Sequence, residues 1–305
     1  MHLLLILALS LFSCASPKPA DKESPDAIVR GKYIEAITRL KSNHLENGWV
    51  VSRTIEGDPE HQGEGLLWSG LWIAAAPCGE ASETSIVLRE MVMRHKGGLV
   101  RIEPLGEYEG GREITLDGAL GLYRGIAEEI MRCGLKGDWY EPTLAHLNYV
   151  TQHSNKLNEN AKAELIKEFT YILDLLAYRL SIRAEPSTDR LRMLEAQVTS
   201  WAAAVTSTKA AAYRIHLGFI ALETVERLGK KVNWGAFCLA SKGADIPIVD
   251  AKCGRGDLKA WIDAFQYNVW EERNQRSGNW ERPDGNGLET PGLDLIRAIV
   301  AAYSF

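Results

Sequence analysis

Beyond the N-terminal residues, the chain has no uncharged apolar run approaching the roughly 20 residues that a bilayer-spanning helix needs. Its five cysteines, Cys14, Cys78, Cys133, Cys238 and Cys253, include no pair at the close spacing of a zinc site. H-E-x-x-H, the G-x-S-x-G elbow and the Walker phosphate loop are all absent. Lys and Arg number 35 against 40 Asp and Glu, for a net charge of −5. No basic cluster stands out, so the footprint of a nucleic-acid binder is missing. A D-x-N-x start at Asp284 looks like a calcium loop, but Leu295 occupies the position where the bidentate Glu belongs. No metal site, no cofactor and no nucleic-acid partner are therefore expected.

What is present begins at the N-terminus. Residues 3–12, LLLILALSLF, form an apolar run. It is too short to span a membrane and fits the central region of a signal peptide, about 7–15 residues. Leu11-Phe12-Ser13-Cys14 follows. It resembles a bacterial lipobox, with an aliphatic residue at −3 and a small one at −1, although Phe12 is bulkier than usual. The resemblance implies removal of residues 1–13 and lipidation (palmitate included) of Cys14. Residues 14–25 then make a tether rich in Pro, Ser, Lys and Asp, with little to bury. Ala15, rather than Asp, follows the cysteine, which by the Gram-negative sorting pattern implies the outer membrane. The expected location is membrane-anchored, facing the periplasm or the cell surface, with the lipid bilayer as partner. An ordinary cleaved signal or an apolar tail is the alternative.

Residues 26–305 read as one helical domain, long enough for a large core. Helical periodicity covers 25–45, 63–76, 82–95, 115–133, 160–180, 188–206, 210–228, 257–272 and 291–303. Strand signals are few, with LVRIEPL (99–105) before the turn-like GEYEGGRE the best. The helices are of two kinds. AELIKEFTYILDLLAYRL and DRLRMLEAQVTSWAAAV have a charged face, whereas GEGLLWSGLWIAAAPC is apolar all round after Glu64. A helix without a wet face is buried on every side. TLDGALGLYRGIAEEI, AAAYRIHLGFIAL and PGLDLIRAIVAAY belong to the same kind. Small residues (Gly65, Gly70, Ala74, Ala75 and Ala76; Gly118, Ala119, Gly121 and Gly125) would let such inner helices approach closely. The expected fold is all-α: an α/α barrel or toroid-like array of helical hairpins, with at most a short β-hairpin.

On this alternation, and on Glu64 and Asp117 at the starts of two inner helices, the body resembles the α/α-toroid class that includes six-hairpin glycosidases. It matches no catalytic signature of a named glycosidase family. The resemblance implies carboxylates at the open mouth, where glycoside hydrolysis needs one acid and one base or nucleophile. Glu64 and Asp117 are the catalytic candidates, and Trp68, His61, Tyr213, His216 and Asp284 the candidates for holding a glycan. Each has a structural alternative. Acids are favoured in the first turn of any helix. Trp68 and Trp72 share a face suited to packing, and His216 fits a hydrogen-bonded core histidine.

With Cys14 lipidated, four cysteines remain, and an oxidising compartment permits disulfides. Cys238 and Cys253 flank a turn-forming segment that contains Gly243 and Pro247. Cys78 and Cys133 end two inner helices; if these are parallel neighbours, the cysteines meet at one rim while Glu64 and Asp117 meet at the other. An antiparallel pair would instead bring Glu64 towards Cys133. Buried free thiols are the further alternative. The functional expectation is a membrane-anchored envelope lipoprotein with a cleft that binds or hydrolyses a carbohydrate. The alternative is a non-catalytic lipoprotein that binds a protein or an envelope polymer.

Overall fold

Helix α1 (Pro25–Arg39) opens the described part of the computed structural model, which comprises residues 25–51, 53–54, 65–100, 116–153, 163–208, 212–243, 246–264, 288–289 and 293–303. The helix loosens into a π-helical turn, Leu40–His44. The backbone then forms a hairpin of β1 (Leu45–Glu46) and β2 (Trp49–Val50). Asn47 and Gly48 make its turn, with φ of 50° and 80°. Two successive left-handed residues match the twist of a two-residue hairpin loop, and Asn-Gly adopts them at little cost. The hairpin is fixed from outside by Ser69, whose hydroxyl oxygen accepts from the Val50 N–H at 2.9 Å.

A second two-stranded pairing joins distant parts of the chain: β3 (Arg53–Thr54) runs antiparallel to β4 (Leu288–Glu289). The remaining elements are helices: α2 (Gly65–Ala75), α3 (Ser82–Arg94), α4 (Leu116–Met131), α5 (Lys136–Gln152), α6 (Ala163–Arg179) and α7 (Thr188–Thr208). After them come α8 (Ala212–Arg227), α9 (Trp234–Ala240), α10 (Pro247–Lys252), α11 (Leu258–Ala264) and α12 (Leu293–Tyr303). The fold is all-α with short strand pairings. Strand structure differs in place from the sequence expectation. Leu99 and Val100 are buried but not in a strand, and 101–105 lie outside the described residues. Helix α5 was not legible because Gly137 and Pro142 interrupt its pattern, and Pro142 lacks the N–H that would bond to the Asp138 carbonyl.

Helix α2 is buried along its whole length, and its closest neighbour is α4. A Cβ at Gly70 would lie 2.1 Å from the Gly121 carbonyl oxygen; one at Gly121 would lie 2.5 Å from the Leu67 Cα. One at Gly125 would lie 2.9 Å from the Gly70 carbonyl oxygen and 3.3 Å from the Ile73 Cβ. The two backbones therefore touch, as only glycine permits. The contacts advance together, Leu67 with Gly121 and then Ile73 with Gly125, so the helices are parallel. Beyond both C-terminal ends the Cys78–Cys133 disulfide joins them, with Cα atoms 5.5 Å apart. The expected pairing and the parallel arrangement are both present.

The other contacts extend this pattern. On the far side of α4, the Glu129 carboxylate accepts from Ser85 of α3 at 2.7 Å and from the Trp139 indole N–H of α5. Glu129 faces Trp139 while Tyr123 meets His146, so α5 runs antiparallel to α4. Arg89 pairs with Asp138 at 3.0 Å and the Gly97 carbonyl meets His146, so α3 runs with α5. Asp174 of α6 pairs with Arg190 of α7 across a short connection, and Gly218 of α8 abuts Val198 of α7. Arg179, ending α6, donates to the Leu228 carbonyl at the end of α8 at 2.6 Å. Arg124 and Glu128 of α4 face Glu223 and Arg227 of α8 in step. Helices α2, α4, α6 and α8 thus run one way, and α3 and α5 return. Helix α12 packs on α1 and α2, bringing the end of the chain back to its start.

The second disulfide, Cys238–Cys253, has Cα atoms 5.4 Å apart and ties α9 to the end of α10. The bridges close separations of 55 and 15 residues, contributions of about 4 and about 3 kcal/mol if they act by restricting the unfolded chain. Five of the seven tryptophans among the described residues are core: Trp49, Trp72 and Trp139 are fully buried and Trp68 and Trp201 almost so, while Trp234 and Trp261 are half-buried.

The close approach is directly testable. Gly70→Ala should destabilise by about 3 kcal/mol, since neither backbone can yield. Gly31→Ala, in exposed α1 with nothing within 4 Å of the added carbon, should stabilise by about 1 kcal/mol through helix propensity. Urea unfolding of the two variants compares them, and equal midpoints would remove the backbone contact as the organising feature.

Candidate functional site

The parallel packing of α2 and α4 puts their first turns at one end of the array. Asp117 stands there, half-buried, in the first turn of α4. The first turn of a helix presents N–H groups that lack intrahelical partners and the positive end of the helix dipole, both of which favour a carboxylate. Trp68, one turn into α2, is 6% exposed and packed in the core. Tyr213 falls in the first turn of α8. Glu64, His61 and Asp284 lie outside the described residues, as does Cys14. The proposed carboxylate pair is thus represented by one member, and its separation is not part of the described geometry.

His216 belongs to the interior. It is buried, and Arg297 Nη1 lies 3.1 Å from its Nε2. Arginine can only donate, so Nε2 accepts and the neutral ring carries its proton on Nδ1. The same guanidinium donates through Nη2 to Glu223 at 2.6 Å and stands 5.8 Å from the Phe219 ring centroid. Arg297 therefore clamps two turns of α8 from α12.

From Glu223 the polar contacts continue to the C-terminal ends of α4 and α8. Arg124 Nε lies 3.9 Å from Glu223, and Arg124 Nη1 donates to Glu128 at 2.6 Å. Glu128 is 6% exposed at its side chain, and it also faces Arg132 Nε at 3.0 Å and Arg227. Arg132 in turn donates to the Ala76 carbonyl at the end of α2. This connected chain of charges is absent from the sequence expectation. Its signal in the sequence was weak: Arg124, Glu128 and Arg132 follow a helical spacing that also fits a solvated face.

A separate buried relay joins α4, α5 and the turn after α3. The Tyr123 hydroxyl meets His146 Nε2 at 2.8 Å, and His146 Nδ1 meets the Gly97 carbonyl at 2.6 Å. The carbonyl can only accept, so Nδ1 donates to it and Nε2 accepts a hydrogen bond from the Tyr123 hydroxyl. Burial pushes the imidazole down from 6.5 to about 4, against the opposing effect of the Gly97 bond. Burial, reinforced by the Asp174 carboxylate, pushes the Tyr123 hydroxyl far above its ordinary range. No group of three His, Cys, Asp or Glu suited to a metal gathers among the described residues.

The depressed histidine predicts an acid limit. In the unfolded chain the imidazole takes a proton near pH 6.5; in the folded protein it does so only near pH 4. Its contribution is complete above pH 6.5 and is lost as pH falls towards 4, by roughly 3 kcal/mol. Urea midpoints from pH 7 to pH 4 should show this decline, and His146→Gln should be less stable at pH 7 with a flatter profile. An unchanged slope in the variant would assign the acid sensitivity elsewhere.

No protein-family model, curated protein or solved structure matches the chain.

Proposed function

We propose that the chain is a lipid-anchored protein of the bacterial envelope, whose toroid-like array of helical hairpins binds a carbohydrate where α2 and α4 begin. The supporting observation is the pairing of cysteines. Four of the five are joined in two bridges, and bridges persist in oxidising compartments such as the periplasm. The fifth is Cys14, at the end of the lipobox-like Leu11-Phe12-Ser13-Cys14. No described helix is long and apolar enough to cross a membrane, so in this reading lipid supplies the attachment.

The carbohydrate part rests on the resemblance to the α/α-toroid class and on the parallel α2–α4 pair, whose first turns share one end. Hydrolysis is the stricter form, with Glu64 and Asp117 as the acid and its partner; it requires their carboxyl groups about 5–10 Å apart. The other reading, a non-catalytic lipoprotein that binds a protein or an envelope polymer, is favoured by one observation. Asp117 occupies a helix first turn, where stabilising the helix is reason enough for an acid.

Cys14→Ser should abolish labelling by a palmitate analogue and move the protein from the membrane to the soluble fraction. Unchanged membrane association would reject the lipid anchor. The same soluble variant, applied to a glycan array, should retain a defined class of sugar. Asp117→Asn should weaken retention or turnover at least tenfold. An array with no retained glycan favours the non-catalytic binder of protein.

A further inference from the structure

We infer that the corner formed by α9 and α10 docks on the bilayer, with Leu239 entering an anionic phospholipid surface. The inference rests on the lipid-anchor reading and adds to it the face of the body that meets the membrane.

The corner presents an apolar group that is held outward. Helix α9, WGAFCLA, has no charged residue. Phe237 is fully buried, whereas Gly235, Ala236 and Leu239 are exposed. Leu239 is 77% exposed, the most exposed large apolar side chain among the described residues. A single exposed leucine is ordinary on a protein surface; one on a braced corner is less so. Its neighbour Cys238 is bridged to Cys253, and the Cys238 carbonyl accepts from Arg255 Nη1. Nη2 of the same guanidinium meets the Ser241 hydroxyl at 3.2 Å and Asp250 at 2.7 Å. Leu239 therefore stands between two fixed residues, and little backbone freedom remains to be lost when it is covered.

The charges around it suit one occupant. Lys231 and Lys242 precede and follow α9; both are exposed, and neither side chain has a hydrogen-bond or ion-pair partner among the described residues. The neighbouring acids are engaged. Glu226 pairs with Lys252 at 2.7 Å, Asp250 with Arg255, and Glu195 accepts from the Asn233 N–H at 2.8 Å. A leucine between lysines is the chemistry of an interfacial contact, in which the alkyl group enters the acyl boundary and the ammonium groups meet lipid phosphates. A protein partner fits less well, because a stable interface buries about 800 Å² on each side, and one leucine beside two small residues does not supply that. A bilayer needs no matching shape, and an anchor keeps it at high effective concentration. From Cys14 to Pro25 the chain advances 11 residues, at most about 40 Å when extended, which is about the breadth of a globular body of this length. The α9–α10 corner is therefore within reach of the anchored surface.

The test is lysine acetylation of the intact lipidated protein by a neutral reagent, with rates at each site read by mass spectrometry. Detergent solution is compared with vesicles of phosphatidylethanolamine and phosphatidylglycerol. Lys96, exposed after α3 on the far side of α4 from α8, is the internal reference. Relative to Lys96, Lys231 and Lys242 should react at least threefold more slowly in vesicles than in detergent. Leu239→Ser, an exposed change that leaves the disulfide and the Arg255 contacts in place, should restore the detergent ratio. Flotation of the vesicles separates the two readings. Protein that floats while Lys231 and Lys242 keep their detergent ratio overturns the docking face and leaves the anchor standing. Protein that does not float overturns the anchor, and this inference with it. Equal protection in Leu239→Ser overturns the leucine as the contact. Protection that is already present in detergent and is relieved by dilution assigns the face to a second copy of the chain and overturns the lipid surface.

Discussion

Contact between the backbones of α2 and α4 is the constraint on which the rest of the structure depends. Gly70 and Gly121 leave no room for a side chain between the helices. At that distance a one-residue slip would place Leu71 or Leu122 where a glycine is required. The glycines therefore fix register and direction together. Once α2 and α4 are parallel, Cys78 and Cys133 must finish at the same rim, and the disulfide locks an arrangement that packing has already chosen. Helix α2, sheathed on all sides, then serves as the post against which β2, α3 and α12 pack.

The far side of α4 shows how the array carries polar groups inward. Glu129 is buried, yet it accepts from Ser85 and Trp139 on two different helices. Tyr123 and His146 satisfy each other and the Gly97 carbonyl. Each such link spans separate elements, so breaking it leaves a buried polar group unpaired, which costs more than the bond itself contributes. The hairpins are thus held at defined heights by directional bonds, where apolar packing alone would permit sliding. The arginine cluster works in the same way, tying the ends of α2, α4 and α8 to one another and α8 to α12.

Much of the architecture was legible because burial leaves a trace in composition. The uncharged stretch from Gly65 to Ala75, with Ser69 as its one polar side chain, reads as an inner helix, and its glycines announced close packing. The alternation of such helices with charged ones gave the hairpins. The Cys78–Cys133 pairing followed from the same reasoning about helix ends, and the Cys238–Cys253 pairing from the turn-forming segment between the two residues. Elements without that trace were missed. Helix α5 was hidden by Gly137 and Pro142, and the hairpin at Asn47-Gly48 was hidden by strands of only two residues each. For the site, Asp117 was placed correctly at a helix start, but Trp68 and His216 belong to the packed interior.

By itself, the sequence determined the helical class, the two kinds of helix, the glycine-lined inner pair and the parity of the cysteines. These depend on local composition and on periodicity along one chain. Only the tertiary structure decided which charges meet. Arg124 and Glu128 are one helical turn apart and predictable as neighbours, but Arg227 of α8 reaches Glu128 and Arg297 of α12 reaches Glu223, and nothing local marks those residues as partners. Long-range ion pairs depend on the relative height of helices distant in sequence. That height is set by glycine contacts and buried hydrogen bonds, whose consequences appear only when the whole array is assembled.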